Sequence, residues 1–97
     1  MDDQTSGADV NSHIIHIRVQ QRNGRKCVTT VTGIDPAFDQ QKMCKYLKKA
    51  MRCNGTHLVD PNFGEILQFQ GDHRVAVQQF ITEEGIGQRE NIKIHGA

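Results

Sequence analysis

The cysteine and histidine side chains of this 97-residue chain are poorly spaced for binding a metal ion. Its three cysteines, Cys27, Cys44 and Cys53, include no C-x-x-C pair, and three residues separate Cys53 from His57. Structural zinc sites use closely spaced ligand pairs, so this spacing argues against a metal site. The chain shows neither an apolar signal segment nor an apolar membrane-spanning run, and we therefore expect reduced thiols, in the cytosol or the nucleus.

Residues suited to catalysis are no better placed. A nucleophilic cysteine needs a histidine beside its thiol. Cys27 and His16 could lie on adjacent strands, but no segment predicts an oxyanion hole or a substrate cleft. Asp72 precedes a predicted helix and would serve as its N-cap, which leaves His73 on the surface. No phosphate-binding glycine loop or dinucleotide motif is present. We expect a non-catalytic protein with no metal and no cofactor.

Positive charge is concentrated in one part of the chain. Residues 13–52 contain nine lysines and arginines against two aspartates, whereas residues 1–12 and 53–97 are each net acidic, which leaves an overall charge of +1. Arg22, Arg25 and Lys26 crowd a predicted hairpin, where like charges destabilise the fold. Charged edges also protect against aggregation. A basic hairpin tip nevertheless suits contact with the phosphates of folded RNA.

A second basic surface lies on the first predicted helix. A solvated helix face and an RNA contact both explain this stripe. The chain has no tryptophan, and we expect Tyr46 and most phenylalanines in the core. That composition disfavours recognition by base stacking. The residues of the stripe are Lys42, Lys45, Lys48, Lys49 and Arg52.

Hydrophobic periodicity and turn residues predict the elements that carry these side chains. Residues 13–20 alternate as a strand, and Asn23-Gly24 predicts a type I′ turn or a longer loop before a strand at 27–32. A helix is predicted from Asp39 to Arg52, and the apolar side of this helix includes Tyr46 and Ala50. It stops at Asn54-Gly55, where Gly55 can adopt the left-handed conformation.

The second half of the chain repeats this pattern. Strands at 56–59 and 65–70 flank a turn, a helix follows Asp72 and ends at Gly85 or Gly87, and 91–95 is a final strand. The order β-β-α-β-β-α-β predicts an α+β fold, a two-layer α/β sandwich in which both helices cover one face of a five-stranded mixed sheet. We expect residues 1–12 to form a flexible acidic tail and residues 13–97 a single domain.

Several motifs, in this order, resemble the eukaryotic translation initiation factor 1 family. The resemblance begins near residue 14 and extends to the end of the chain, and the short tail is similar to the stand-alone factor. The matching segments are Ile15–Lys26, Thr29-Thr30-Val31, Cys53-Asn54-Gly55-Thr56, Gly64-Glu65, Leu67–Arg74, Gln79-Phe80 and Lys93-Ile94-His95-Gly96.

The resemblance implies a translation initiation factor that binds the small ribosomal subunit near the P site and contacts its rRNA. Such a factor promotes the open, scanning preinitiation complex and enforces accurate start-codon selection. The implied partners are initiator tRNA and initiation factors 1A, 2, 3 and 5. We expect a monomer without a membrane partner.

Family roles carry over to four groups of residues. The hairpin loop would contact rRNA in the decoding region through Arg22, Asn23, Gly24, Arg25 and Lys26. Helix residues Lys45, Lys48 and Lys49 match the family's basic helix, to which we add Lys42 and Arg52. A loop facing initiator tRNA would comprise Asp60, Pro61, Asn62, Phe63 and Gly64. A motif linked to accurate start selection would comprise Gly71, Asp72, His73 and Arg74.

Two positions depart from the family pattern, and two other functions stay open. His73 stands where the family usually has glutamine, and Glu84 stands where we expect an apolar residue on the second helix. The residues alone also fit a general structured-RNA or ribosome-recycling module. They fit equally a protein-interaction domain whose basic surface docks on an acidic partner.

Overall fold

The computed structural model of the protein describes residues 14–96, so the expected acidic tail lies outside the described residues. The predicted order of five strands and two helices is confirmed, with one short 3-10 helix added before the last strand. The elements are β1 (Ile15–Gln21), β2 (Cys27–Thr32), α1 (Gln40–Met51), β3 (Gly55–Asp60), β4 (Gly64–Gln70), α2 (Arg74–Glu83), the 3-10 helix Arg89–Asn91 and β5 (Ile92–His95).

The strands form one mixed sheet in the order β3-β4-β2-β1-β5. The β3–β4, β4–β2 and β2–β1 pairs are antiparallel, and β5 lies parallel to β1. The edges of the sheet are therefore β3 and β5.

Both helices pack on the same face of this sheet, as predicted. Alternate residues of the central strands point toward the helices, which is the period-two pattern of a half-buried sheet. The opposite face carries no helix in the described part of the chain. The main core residues are Ile15, Ile17, Val31, Leu67 and Phe69 from the strands, Met43, Cys44 and Leu47 from α1, and Val77 and Ile81 from α2.

Helix α1 begins as predicted but ends differently. The Asp39 side chain accepts a hydrogen bond from the backbone N–H of Lys42 over 3.2 Å, which caps the first turn. At the other end Arg52 adopts the left-handed conformation at φ 52°, and Gly55 is already the first residue of β3. Gly55 is instead required by close packing, because a Cβ there would lie 2.7 Å from the Phe69 ring.

Helix α2 ends at a left-handed glycine. Gly85 has φ +71°, and the backbone N–H groups of Gly85 and Ile86 donate to the carbonyls of Thr82 and Ile81 over 3.3 and 3.0 Å. This pair of bonds is a Schellman motif. Glu84 occupies the C-cap position and is exposed, so an apolar residue has no core to fill there.

The prediction that Tyr46 lies in the core was wrong. Tyr46 is 58% exposed, and its ring stacks on Phe80 of α2 with 5.2 Å between the ring centroids. The buried stripe of α1 is Gln40, Met43, Cys44 and Leu47, which turns Tyr46 and Ala50 outward. The spacing of apolar residues is nearly unchanged when a helix rotates about its axis by a fraction of a turn. Spacing alone therefore did not determine which residues of α1 face the sheet.

Among residues 14–96 no helix is long and apolar enough to cross a membrane.

Candidate nucleic-acid interface

The loop between β1 and β2 presents three cations to solvent. Gln21 pairs with Cys27, which leaves the five residues Arg22–Lys26 in the loop. The loop is closed by backbone bonds from Arg22 N–H to Lys26 O (2.7 Å) and from Lys26 N–H to Asn23 O (3.0 Å). Gly24 has a positive φ of +59° but Asn23 does not. A type I′ turn needs both, so the longer loop is the correct alternative.

Two backbone hydrogen bonds bring the base of this hairpin next to two other predicted groups. The N–H of Gly71 donates to Cys27 O over 2.8 Å, and the N–H of Gln70 donates to Asn54 O over 2.9 Å. The hairpin, the segment 71–74 and the C-terminal end of α1 therefore lie at one end of the sheet. We call this the basic end.

The last turns of α1 add further positive charge at the basic end. Lys49 and Arg52 are exposed and Lys48 is half-buried, whereas the exposed Lys42 and Lys45 lie on earlier turns. An open groove of about 560 Å³ runs beside these side chains. Cations around a polar groove are the usual means of holding a phosphate backbone. The groove is lined by Lys48, Lys49, Arg52, Cys53, Asn54 and Gln70.

A buried hydroxyl fixes the segment 71–74. Thr29 is 0% exposed, and its hydroxyl donates to Gly71 O over 2.6 Å while it accepts from the N–H of His73 over 2.9 Å. Gly71 has φ +104°, and a Cβ there would lie 2.8 Å from Nε2 of His73. This role of Thr29 was not predicted from the sequence. The only signal was a threonine at a helix-facing position of a central strand.

His73, rather than Asp72, is the N-cap residue of α2, and its side chain makes no capping bond. Its Nε2 instead donates to the carbonyl of Gln70 over 2.8 Å. Asp72 pairs with the guanidinium of Arg74. The side-chain hydrogen bond between these two residues is the main cause that lowers the pKa of Asp72, and it also raises the pKa of Arg74. Asp72 is thus not the N-cap residue, but its Oδ1 also accepts a long hydrogen bond from the backbone N–H of Arg74 over 3.4 Å, beside the ion pair.

The loop Asp60–Gly64 lies at the opposite end of the sheet. In the β2–β4 register, Gln70 pairs with Val28 near the hairpin, while Ile66 pairs with Thr32. β4 separates the two ends by about 20 Å, given its seven residues. The structure therefore brings three of the four predicted groups together and leaves this loop apart.

Local hydrogen bonds shape that distal loop. Oδ1 of Asp60 accepts from the N–H groups of Asn62 (2.7 Å) and Phe63 (3.1 Å), and Gly64 has φ +76°. These bonds form an Asx turn, as the residue types predict. The Phe63 ring is 70% exposed, whereas Phe69 is buried and Phe38 and Phe80 pack against the core, as expected for most phenylalanines.

A polar network joins the distal loop to the start of α1. Oε1 of Glu65 lies 2.8 Å from Nε2 of His57, and Oε2 accepts from Nε2 of Gln40 over 3.3 Å. The same Gln40 nitrogen donates to Ile34 O over 3.3 Å. Gln40 is 2% exposed, so this network holds the β3–β4 hairpin against the helix that carries the lysines.

Two of the three cysteines are poorly suited to nucleophilic chemistry. All three are unpaired, and burial is the main cause that raises the pKa of Cys44 and Cys53. A raised pKa disfavours the thiolate, which is the nucleophilic form. Within residues 14–96 no group of three or more His, Cys, Asp or Glu side chains could hold a metal ion.

Comparison with known proteins decides the family. Residues 11–87 match the family model described as "Translation initiation factor SUI1". The chain belongs to the SUI1 family of translation initiation factors. The motifs of the hairpin and of the segment 71–74 lie within the matched residues and thus resembled the right family.

Curated SUI1-family relatives cover most of this chain. It is 52% identical over 82 residues to "Protein translation factor sui1" of Schizosaccharomyces pombe, which is 84% of this chain and 75% of the relative. It is 48% identical to a SUI1 homolog of Salix bakko over 96% of this chain and 81% of the relative. It is 43% identical to "Eukaryotic translation initiation factor eIF1" of Drosophila melanogaster, over 91% of this chain and 80% of the relative.

A solved structure shares the SUI1-family fold. The C-terminal domain of human eIF2D matches with a TM-score of 0.70 and 23% identity, over 81% of this chain and 41% of that chain. This chain thus spans less than half of the matched structure, and the match concerns the fold. The SUI1 family comprises translation initiation factors rather than enzymes, so a role in translation initiation and the absence of catalysis agree with the sequence-based expectation.

Proposed function

We propose that this SUI1-family chain binds the small ribosomal subunit near the P site, promotes the open, scanning preinitiation complex and enforces accurate start-codon selection. It would act in the cytoplasm, beside initiator tRNA and together with initiation factors 1A, 2, 3 and 5. The observation that carries the proposal is the basic end. There the hairpin Arg22–Lys26, the end of α1 and the segment 71–74 lie together, because backbone hydrogen bonds link Gly71 to Cys27 and Gln70 to Asn54, at the borders of these groups.

The basic end is suited to act as the anchor on rRNA. Its hairpin cations project from a loop whose ends are held by two short backbone bonds, so little loop ordering is required when it docks. Arg22, Arg25 and Lys26 are exposed to solvent. Contacts from such side chains to phosphates fix position and orientation without reading sequence.

The distal loop is suited to oppose tRNA. It lies about 20 Å from the anchor, along seven-residue β4, and carries Asp60 and the exposed Phe63. An anchored factor would therefore place a carboxylate and a bulky ring where tRNA must enter. Codon pairing would favour the closed state of the complex, and that difference in affinity would expel the factor.

The test measures binding to purified small ribosomal subunits across a salt series. Replacement of Arg22, Arg25 and Lys26 by alanine should weaken binding and reduce the logarithmic salt slope by roughly 2 to 3, because each phosphate contact contributes about 0.7 to 0.9. The control is Arg89→Ala, which removes an exposed cation from the 3-10 helix. That variant should bind as the wild type does.

Two outcomes would contradict the proposal. An unchanged slope in the triple variant would remove the hairpin as anchor and shift the contact to α1. Binding that does not respond to initiator tRNA or factor 1A would indicate a general RNA-binding module instead.

A further inference from the structure

Two histidines on the helix-free face of the sheet are unused by the interface described above. Nδ1 of His16, in β1, lies 3.1 Å from Nε2 of His95, in β5. Their ring centroids are 5.3 Å apart and the ring planes differ by 23°. At this distance one nitrogen donates and the other accepts, so the facing nitrogens share a single hydrogen.

Permanent cations flank this pair on its own two strands. In the parallel β1–β5 register, Lys93 lies beside His16 and Arg18 lies beside His95. Like charges on adjacent strands destabilise a sheet. This arrangement is therefore poorly explained by folding alone.

The surrounding elements bring no unpaired carboxylate to the pair. On β2, the partners of His16 and Arg18 are the uncharged Thr32 and Thr30. From the helix side Arg74 reaches Gly96, at the end of β5, but its charge is paired with Asp72. On β1, β5 and the adjacent β2, the side chains on this face are therefore cationic, titratable histidine or uncharged.

We propose that His16, Arg18, Lys93 and His95 form a second anion site, which binds a phosphodiester of an RNA strand and takes up a proton as it does so. The choice of RNA as the ligand rests on the proposed function. The site itself, however, is separate from the basic end, because it lies on the helix-free face of the sheet. RNA is favoured over an acidic peptide because β1 leads directly from this site into the hairpin. Arg18 and Arg22 are four residues apart, about 13 Å along the strand, so one RNA strand can contact both.

Proton uptake follows from the charges around the pair. Burial, followed by the charges of Arg18, His95 and Lys93, lowers the pKa of His16 in the free protein. A bound phosphate offsets this repulsion and favours the imidazolium. Uptake of one proton strengthens binding by up to about tenfold for each unit by which pH falls.

The experiment measures the affinity of the whole chain for a tetramethylrhodamine-labelled uridylate decamer, whose dye does not titrate in this range, at about pH 7.5 and about pH 6, at constant ionic strength. Phosphodiesters do not titrate in this range, so a change in affinity reports on the protein. The wild type should bind several-fold more tightly at the lower pH. The variant His16→Asn/His95→Asn should bind with the same affinity at both.

Matched variants separate charge from protonation. Arg18→Gln/Lys93→Gln should weaken binding at both pH values. The hairpin triple variant should also bind more weakly, yet keep the wild-type pH ratio, which is the affinity at about pH 6 divided by the affinity at about pH 7.5. If the double histidine variant does not fold, as judged by circular dichroism, the exposed single change His95→Asn carries the same expectation of a reduced ratio.

The failures of the two proposals are distinguishable. A histidine variant that keeps the wild-type pH ratio overturns this inference and leaves ribosome binding untouched. A glutamate decamer that binds with the pH ratio expected for RNA, while uridylate does not bind, overturns it in favour of an acidic peptide. Wild-type protein that binds uridylate with the expected ratio but not the small subunit overturns only the proposed function.

Discussion

The guanidinium of Arg74 holds the carboxylate of Asp72 through two hydrogen bonds, from Nε to Oδ1 over 2.9 Å and from Nη2 to Oδ2 over 2.7 Å. Both residues belong to the segment that the buried hydroxyl of Thr29 ties to the sheet. The pair neutralises one cation at the basic end and orients a carboxylate there. The segment 71–74 therefore presents a defined arrangement rather than a free charge.

This ion pair makes stability depend on pH in the acid range. The hydrogen bond from Arg74 lowers the pKa of Asp72 in the folded protein. A lowered folded pKa contributes stability that is present above the unfolded value, about 3.9, and is lost as pH falls through the folded value. Asp72→Asn should thus be slightly less stable than the wild type at neutral pH, and the difference should shrink as pH falls below about 4.

Urea unfolding of both proteins across this pH range checks the prediction. Glu83→Gln, at an exposed carboxylate on the same helix, is the control and should show no comparable trend. If the difference in the free energy of unfolding between the wild type and Asp72→Asn persists at the lowest pH, the ion pair is not its cause.

Replacement of Thr29 by valine should destabilise the fold by about 1–3 kcal/mol, because the N–H of His73 and the carbonyl of Gly71 both lose a partner. Denaturant unfolding measures the change. The control is Thr30→Val on the same strand, which is half-buried on the other face and should change stability by no more than about 0.5 kcal/mol. Equal effects of the two changes would contradict the role given to the Thr29 hydroxyl.

Gly71→Ala should be more destabilising than Gly24→Ala. At Gly71 the positive φ is combined with a close approach, since a Cβ would lie 2.8 Å from Nε2 of His73, and we expect a loss of about 1–3 kcal/mol. At Gly24 a Cβ meets nothing within 4 Å, so only the left-handed backbone costs about 1 kcal/mol. Thermal unfolding of the two variants measures the order, and a larger loss at Gly24 would refute it.

Phe63→Ala should leave both stability and small-subunit affinity close to wild type while it raises initiation at near-cognate codons. The ring is 70% exposed and lies at the opposite end of the sheet from the anchor, so its loss removes neither core nor phosphate contacts. A reporter that compares AUG and UUG starts measures the effect. The hairpin triple variant should instead lower affinity, and reduced affinity in Phe63→Ala would contradict the separation of the two ends.

Several elements could be predicted because their signals are local. The alternation of Ile15, Ile17 and Val19 identifies a half-buried strand, and Asp39 caps the helix that follows it along the chain. Gly64 supplies a positive φ after the Asp60 turn. Each signal acts within a few residues, so it requires no knowledge of the remaining chain.

The mistaken predictions concern competing partners. Asp72 or His73 could occupy the N-cap position of α2, and only the surrounding geometry decides that it is His73. Gly55 could end α1 or fit beneath Phe69, which is far away in sequence. Tyr46 has helical spacing for the core, but the rotation of α1 on the sheet turns it toward Phe80.

The sequence by itself determined the order of elements, the concentration of cations in residues 13–52 and the family motifs, since these depend on residue type and spacing along the chain. Only the tertiary structure decided which groups meet. Strand register places the hairpin, the end of α1 and the segment 71–74 at one end of the sheet, moves Asp60–Gly64 to the other, and sets His16 beside His95. Those juxtapositions join residues up to 79 positions apart, and long-range pairing of that kind is settled by packing of the whole core.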